Sequence, residues 1–158
     1  MGPSMRPGKA RGFTFVATLL LLALVSLGLA AAGTVWSQQT QRERERDLMR
    51  LGTVYAQAIA AYFNASPGSV KQYPPTLDAL LLDTRFVGTV HHMRKAYADP
   101  VNAGQPWALL RNEAGRIVGV YSANREAPLA QGEVRLDDRV LPPATRYADW
   151  KFIAIVKP

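Results

Sequence analysis

The chain contains no cysteine among its 158 residues. That absence excludes a disulfide scaffold, thiolate zinc sites and iron–sulfur ligation. The only histidines are the adjacent His91 and His92, and no acidic residue lies between Asp83 and Asp99. Because adjacent residues rarely bind one metal ion together, we expect a polar loop at this point and no metal site.

Common catalytic motifs are missing as well. No Gly-x-Ser-x-Gly segment surrounds Ser122, and no glycine-rich phosphate-binding loop occurs. The net charge of +7 falls to +4 once Arg6, Lys9 and Arg11 near the N-terminus are set aside. The remaining arginines accompany no nucleic-acid recognition motif. We therefore expect neither catalysis nor nucleic-acid binding.

One long segment carries no charge. There is no charged side chain from Gly12 to Gln41, and Phe13–Trp36 is almost wholly apolar. As a helix, this run spans about 36 Å, which is enough to cross a hydrocarbon core of about 30 Å. Because three cations precede the run, the positive-inside rule places the N-terminus in the cytoplasm. The sequence therefore predicts a single-pass membrane segment at residues 13–36, whose few hydroxyls bond back to helix carbonyls.

The helical pattern continues beyond this segment. No proline occurs between Phe13 and Ser66. An apolar stripe follows at spacings of three and four residues, and we expect the charged stretch Arg42–Asp47 before it to be solvated. The sequence thus predicts one helix over residues 13–63, about 76 Å long, with an amphipathic continuation at 37–63. The residues of the stripe are Leu48, Leu51, Tyr55, Ala58 (or Ile59) and Tyr62.

A cleaved secretory signal peptide is the competing interpretation of the N-terminus. Small residues at Ala30–Ala32 resemble a cleavage site, which would make Gly33 the new first residue. The apolar run is longer than the usual 7–15 residues or so of such peptides, and a cut after Ala32 would divide the predicted helix.

The junction Lys9-Ala10-Arg11-Gly12-Phe13-Thr14-Phe15 resembles the leader of a type IV prepilin or pseudopilin. The resemblance implies a leader peptide at residues 1–12, cleavage by prepilin peptidase between Gly12 and Phe13, and N-methylation of Phe13. It also implies a pilin-like fold and assembly of the helices into a filament.

Three later segments resemble the major pseudopilin of type II secretion, and they are Tyr73–Leu80, Met93–Pro100 and Val118–Ser122. The resemblance implies a short periplasmic filament that drives protein export. Its partners would be other pseudopilins, the secretion assembly platform and prepilin peptidase. The protein would lie in the bacterial inner membrane with its C-terminal domain in the periplasm.

Two family features are absent. Ala17 is the fifth residue counted from Phe13, where most members carry a glutamate that pairs with a neighbouring subunit during assembly. The major pseudopilin also has an acidic, glycine-rich calcium loop. The corresponding stretch here, residues 123–140, offers few carboxylates, since calcium takes six to eight oxygen ligands. We expect no cofactor, with Asp137 and Asp138 as the calcium candidates that remain.

The remainder, residues 64–158, is predicted to form a periplasmic α+β domain. Thr76 suits the N-cap of a short helix through Asp83. Strands are expected at 107–111, 117–121 and 150–156, the first two joined by a glycine-containing hairpin, whereas 124–149 is expected to be irregular. The fold class is therefore a long N-terminal helix packed on a small three-stranded antiparallel sheet.

These features predict a pseudopilin of a type II secretion system. A minor pilin of a type IV pilus, used in adhesion, motility or DNA uptake, is the alternative within the same class. A membrane-tethered periplasmic binding protein or enzyme is the alternative of another class.

Overall fold

The computed structural model describes residues 10–156, and of residues 10–12, 28–35 and 37 it describes the backbone alone. Most of the expected leader, residues 1–9, lies outside the described part. Helix α1 extends over Ala10–Asn64 without a break. It begins three residues before the predicted start and ends one residue after the predicted end. The predicted single helix is therefore confirmed, including its continuity across Ala32.

The chain divides into two compact units, the first ending at Thr40 and the second beginning at Gln41. Among the residues that the structure describes, no helix is both long enough and apolar enough to span a membrane.

The second unit is an α+β domain. After α1 come the short helix α2 (Asp78–Leu81) and strands β1 (Ala108–Arg111) and β2 (Ile117–Tyr121). The last strand is β5 (Lys151–Ile153). Strands β1, β2 and β5 form an antiparallel sheet in the order β1-β2-β5. The predicted fold class of a long helix with a small three-stranded antiparallel sheet is thus confirmed at this level.

The core lies between the second half of α1 and the inner face of the sheet. Every residue of the predicted apolar stripe is buried. The rings of Tyr55 and Trp107 lie 5.5 Å apart, and Trp107 meets Phe152 of β5 edge to face at 6.1 Å. Gly52 leaves the space that the Phe152 ring fills. The helix stripe and the strand alternation therefore meet in one core, as their periods require.

The structure differs from the predictions in three places. Helix α2 is shorter than expected, with Leu77 at its N-cap and no side-chain cap from Thr76. Strand β5 covers three residues of the predicted seven. The stretch expected to be irregular contains a two-stranded hairpin, β3 (Val134–Arg135) and β4 (Val140–Leu141), followed by a 3-10 turn at Tyr147–Asp149. A backbone hydrogen bond from Leu136 N to Arg139 O closes this hairpin without glycine.

Candidate functional site

The first part of α1 exposes its apolar side chains on every side. All residues from Phe13 to Leu27 are exposed, and the side chain of Phe13 is 77% accessible. A helix that is apolar all round is ordinarily covered by protein or by lipid. Within the described residues nothing covers this segment, so it is a candidate surface for lipid or for other helices.

The polar side chains in this segment bond within the helix. Thr18 Oγ1 donates to Thr14 O at 2.7 Å, and Ser26 Oγ donates to Leu22 O at 2.8 Å. These bonds confirm the prediction that the hydroxyls bond back to helix carbonyls at Thr18 and Ser26. They lower the cost of placing the hydroxyls in an apolar environment.

The predicted processing and assembly residues lie at the start of α1. The Gly12–Phe13 bond is within the first turn of the helix, and the Ala17 side chain is exposed one turn later. A methyl group cannot pair with an ammonium group, so Ala17 cannot make the family's carboxylate contact. Cleavage at Gly12–Phe13 stays a prediction. The side chains of Ala30–Ala32, at the competing cleavage site, lie outside the described residues.

Glu45 overturns part of the expectation for the charged stretch of α1. Its five neighbours in Arg42–Asp47 are exposed, but Glu45 itself is buried. The carboxylate accepts hydrogen bonds from Tyr147 Oη at 2.7 Å and from the backbone amides of Leu129 and Ala130. Gln41 Nε2 donates to the same phenol oxygen at 3.0 Å. Glu45 therefore attaches the 124–149 segment to the helix.

The spacing of Glu45 contained a signal for this burial. It precedes Leu48 by three residues, Gly52 by seven and Tyr55 by ten, so it shares their helix face. Arg42 lies three residues before Glu45, but no ion pair joins them among the described residues. Asp47 instead pairs with Arg50 at 3.0 Å.

Tyr147 has an altered acidity at this site. Burial raises its pKa to about 12, the hydrogen bond from Gln41 opposes that rise, and the nearby Glu45 carboxylate adds to it. The phenol is therefore held in its protonated, donating form. The contact with Glu45 needs that form, since an ionised phenolate could not donate to a carboxylate.

A second polar cluster stabilises the C-terminal end of α1. The buried Asp83 carboxylate accepts from Arg85 Nε at 2.8 Å and Nη2 at 2.6 Å, and His92 Nε2 lies 3.0 Å from it. Arg85 also donates to Tyr62 O and Ser66 Oγ. Since Tyr62 O belongs to the last turn of α1, Arg85 satisfies a carbonyl that the helix leaves open.

His92 lies in a loop, as predicted, but its side chain is only 7% exposed and contacts the buried Asp83, which was not predicted. No local pattern indicates this contact, because the acidic partner of His92, Asp83, lies nine residues away across a loop. The Arg85 hydrogen bonds, opposed by burial and helped by His92, hold the pKa of Asp83 well below its usual range.

Ser66, His92 and Asp83 are the residue types of a hydrolase triad, but their arrangement is different. Ser66 Oγ accepts from Arg85 Nη1 at 2.7 Å and from Gln72 N at 3.0 Å. A hydroxyl activated by histidine would instead donate to the imidazole. The contacts of Ser66 Oγ are thus with Arg85 and with backbone groups, and the cluster serves to hold the loops at the end of α1.

The calcium candidates lie in the hairpin between β3 and β4. Asp138 pairs with Arg139, whose Nε and Nη2 lie 3.0 and 2.6 Å from its two carboxylate oxygens. Arg139 Nη1 also donates to Ile153 O at 2.8 Å. Over the described part of the chain, no group of three or more potential ligands could hold a metal ion. The Asp138 carboxylate is engaged in holding the hairpin to β5.

No protein-family model matches the chain, and no curated protein and no solved structure does so either.

Proposed function

We propose that the protein is a pseudopilin of a type II secretion system. Prepilin peptidase cleaves it between Gly12 and Phe13 and methylates Phe13. The processed subunit stays in the inner membrane until it joins a short periplasmic filament, which drives the export of folded proteins. Its partners are other pseudopilins and the secretion assembly platform.

The observation that carries this proposal is the continuity of α1. The helix begins before the Gly12–Phe13 bond and ends at Asn64, with an exposed apolar part first and a stripe buried against an α+β domain later. Removal of a signal peptide after Ala32 would cut this helix and discard its apolar part. Cleavage after Gly12 instead removes a cationic leader and leaves the apolar helix whole.

The assembly step follows from the chemistry of the apolar segment. A leader with three cations does not cross the membrane readily, so it stays in the cytoplasm while Phe13–Trp36 spans the bilayer. When the processed helix leaves lipid for a bundle of like helices, its apolar surface stays in an apolar environment. The association therefore depends on the fit of the helix surfaces more than on net burial.

Ala17 favours a second candidate within the same class. Without a carboxylate at this position the helix inserts more easily, but it lacks the contact that sets the register of a shaft subunit. This absence suits a tip-type minor pseudopilin, and a minor pilin of a type IV pilus is the alternative from another system. A gene neighbourhood with a secretin and a secretion ATPase supports type II secretion, whereas a retraction ATPase supports the pilus.

The intact mass of the full chain, extracted from membranes with and without active prepilin peptidase, tests the proposal. We expect the loss of residues 1–12 and the gain of one methyl group only where the peptidase is active. Gly12→Ile is the matched variant, which should keep the unprocessed mass. A product that begins at Gly33 in both strains, or no processing at all, would contradict the proposal.

A further inference from the structure

The exposed face of α1 separates its charges by sign. Arg42, Arg46 and Arg50 recur every four residues along one row, and Glu43 and Asp47 do so along the next. All five side chains are exposed. At about 100° per residue, the arginine row covers about 80° of the helix surface, the acidic row lies beside it, and the exposed Arg44 lies beyond the acidic row. This face is opposite the side that buries Glu45 and Leu48.

Along each row the arrangement is unfavourable within a single helix, although Glu43 and Asp47 each have an arginine at the favourable spacing of three residues. Like charges four residues apart repel, whereas a glutamate followed four residues later by a cation stabilises a helix. The one ion pair formed here among the described residues joins Asp47 to Arg50, with both side chains more than half exposed. Arg42, Glu43 and Arg46 take part in no ion pair of the described structure. A face sorted in this way has cations and anions available for another molecule.

We infer that this face binds a second copy of the chain, with the arginine row of one copy against the Glu43–Asp47 row of the next. The two rows are different flanks of one surface, so the contact is heterologous. Such a contact leaves one free flank on each copy and continues to a further copy, which gives an open filament instead of a closed pair. The inference rests on the proposed function and names the surface through which neighbouring subunits meet.

An anionic lipid surface would fit the arginine row, but it would be repelled by the acidic row directly beside it. A second copy satisfies both rows at once. The charge complementarity of the face with itself therefore favours a protein partner of the same sequence over a membrane surface.

Charge reversal of each row, in the full chain purified in detergent micelles, tests the inference. One variant is Arg42→Glu/Arg46→Glu, and the other is Glu43→Arg/Asp47→Arg. Because the protein has no cysteine, a single Asn112→Cys in the exposed β1–β2 loop accepts a dye. Energy transfer between labelled copies then reports self-association.

We expect each variant alone to associate about three- to tenfold more weakly than the parent at low salt, since exposed ion pairs are individually weak and screened. An equal mixture of the two variants should regain the parent's association, because each row then meets a row of opposite sign. Arg125→Glu/Arg135→Glu makes the same change in net charge as the arginine-row variant, on exposed residues elsewhere, and should associate like the parent.

Association of each single variant at the parent's level, or a mixture that shows no recovery, would overturn the inference. The inference would also be overturned if the charge reversals changed only the binding of vesicles that contain phosphatidylglycerol, because the arginine row would then bind lipid. Processing at Gly12–Phe13 is measured separately by mass. A chain that is processed normally but shows no charge-swap recovery therefore refutes this surface and leaves the proposed function standing.

Discussion

Tyr147 Oη donates a hydrogen bond of 2.7 Å to the Glu45 carboxylate, which lies 102 residues earlier in the chain. The bond is buried and joins the 3-10 turn before β5 to the charged stretch of α1. Long connections with little secondary structure, such as residues 124–149, lose much conformational entropy on folding. Here the Glu45 carboxylate holds two backbone amides and a side chain of that connection at a single point.

Glu45→Gln should lower the free energy of unfolding by about 1–3 kcal/mol, because an amide cannot replace a carboxylate that accepts several hydrogen bonds at a buried site. Glu43→Gln is the matched control, since Glu43 is exposed two residues away, and it should change stability by less than about 0.5 kcal/mol. Urea denaturation at neutral pH measures both. Equal effects of the two substitutions would show that the buried contact does not stabilise the fold.

Tyr147 should make the fold sensitive to alkaline pH. Its pKa in the folded protein is about 12, above the ordinary value of 10.0, so the folded state holds the phenol proton more tightly than the unfolded chain does. The stabilisation is complete below pH 10 and is lost as the pH rises from 10 to 12. Tyr147→Phe should therefore flatten the decline of unfolding free energy over this range.

Some decline will remain in Tyr147→Phe, because burial also raises the pKa of Tyr55 and Tyr62. The control substitution is Tyr121→Phe, at a half-buried tyrosine of β2. Denaturant titrations at several pH values between 9 and 12 or so make the comparison. Parallel curves for the parent and Tyr147→Phe would refute the prediction.

Asp83 should make the fold sensitive to acid. Its hydrogen bonds from Arg85 hold the pKa of the carboxyl well below its usual range, so the folded state binds the proton more weakly than the unfolded chain does. The stabilisation is complete above the ordinary value of 3.8 and is lost as the pH falls further. Asp83→Asn should cost about 3 kcal/mol at neutral pH, because it leaves the Arg85 guanidinium without its counter-ion.

The matched control is Asp138→Asn. Asp138 makes a similar two-point contact with Arg139, and the hydrogen bonds from Arg139 also lower the pKa of its carboxyl. Its side chain is 30% exposed, whereas that of Asp83 is fully buried, so its loss should cost less than about 1 kcal/mol. Denaturation at pH 7 and near pH 3 should show that the difference in unfolding free energy between the parent and Asp83→Asn is smaller at the lower pH. A difference that is the same at both pH values would contradict the assignment.

The periodic parts of the fold could be predicted from the sequence. The stripe that includes Leu48 and Tyr55 repeats at helical spacing, and strands β1 and β2 are short, mostly apolar runs on either side of a glycine-containing loop. Gly115, with a φ of 71°, adopts there the left-handed conformation that such a loop needs. These signals are local, so they can be recognised without knowledge of the tertiary contacts.

The polar contacts could not be predicted in the same way. Glu45 has the right spacing for the core, but its charge and its charged neighbours favour a solvated position when burial is judged by residue type. Its burial depends on amides of Leu129 and Ala130, far away in sequence. Likewise, Asp83 and His92 are in contact only because the loop between them brings the chain back on itself. The β3–β4 turn at Asp137 and Asp138 could not be predicted either, because it lacks the glycine that usually marks a hairpin.

Gly52 should not tolerate a larger residue without a loss of stability. A Cβ atom at this position would lie 2.4–2.6 Å from ring atoms of Phe152, which is closer than any real contact. Alanine favours a helix over glycine by about 1 kcal/mol, whereas overpacking a core costs about 1–3 kcal/mol. Because the Phe152 ring is fully buried and cannot move aside freely, we expect Gly52→Ala to lower stability by about 1–2 kcal/mol.

A double-mutant cycle with Phe152→Leu separates the steric effect from other causes. If the ring is the obstacle, Gly52→Ala should lower the free energy of unfolding less in the Phe152→Leu background than in the parent. In that background, the higher helix propensity of alanine should become measurable. Gly132→Ala is the control, since a Cβ at Gly132 would meet nothing within 4 Å, and it should leave the unfolding midpoint unchanged. Thermal and urea unfolding of the four chains of the cycle give the coupling. An equal cost in both backgrounds would show that close packing of α1 on β5 is not what requires glycine at this position.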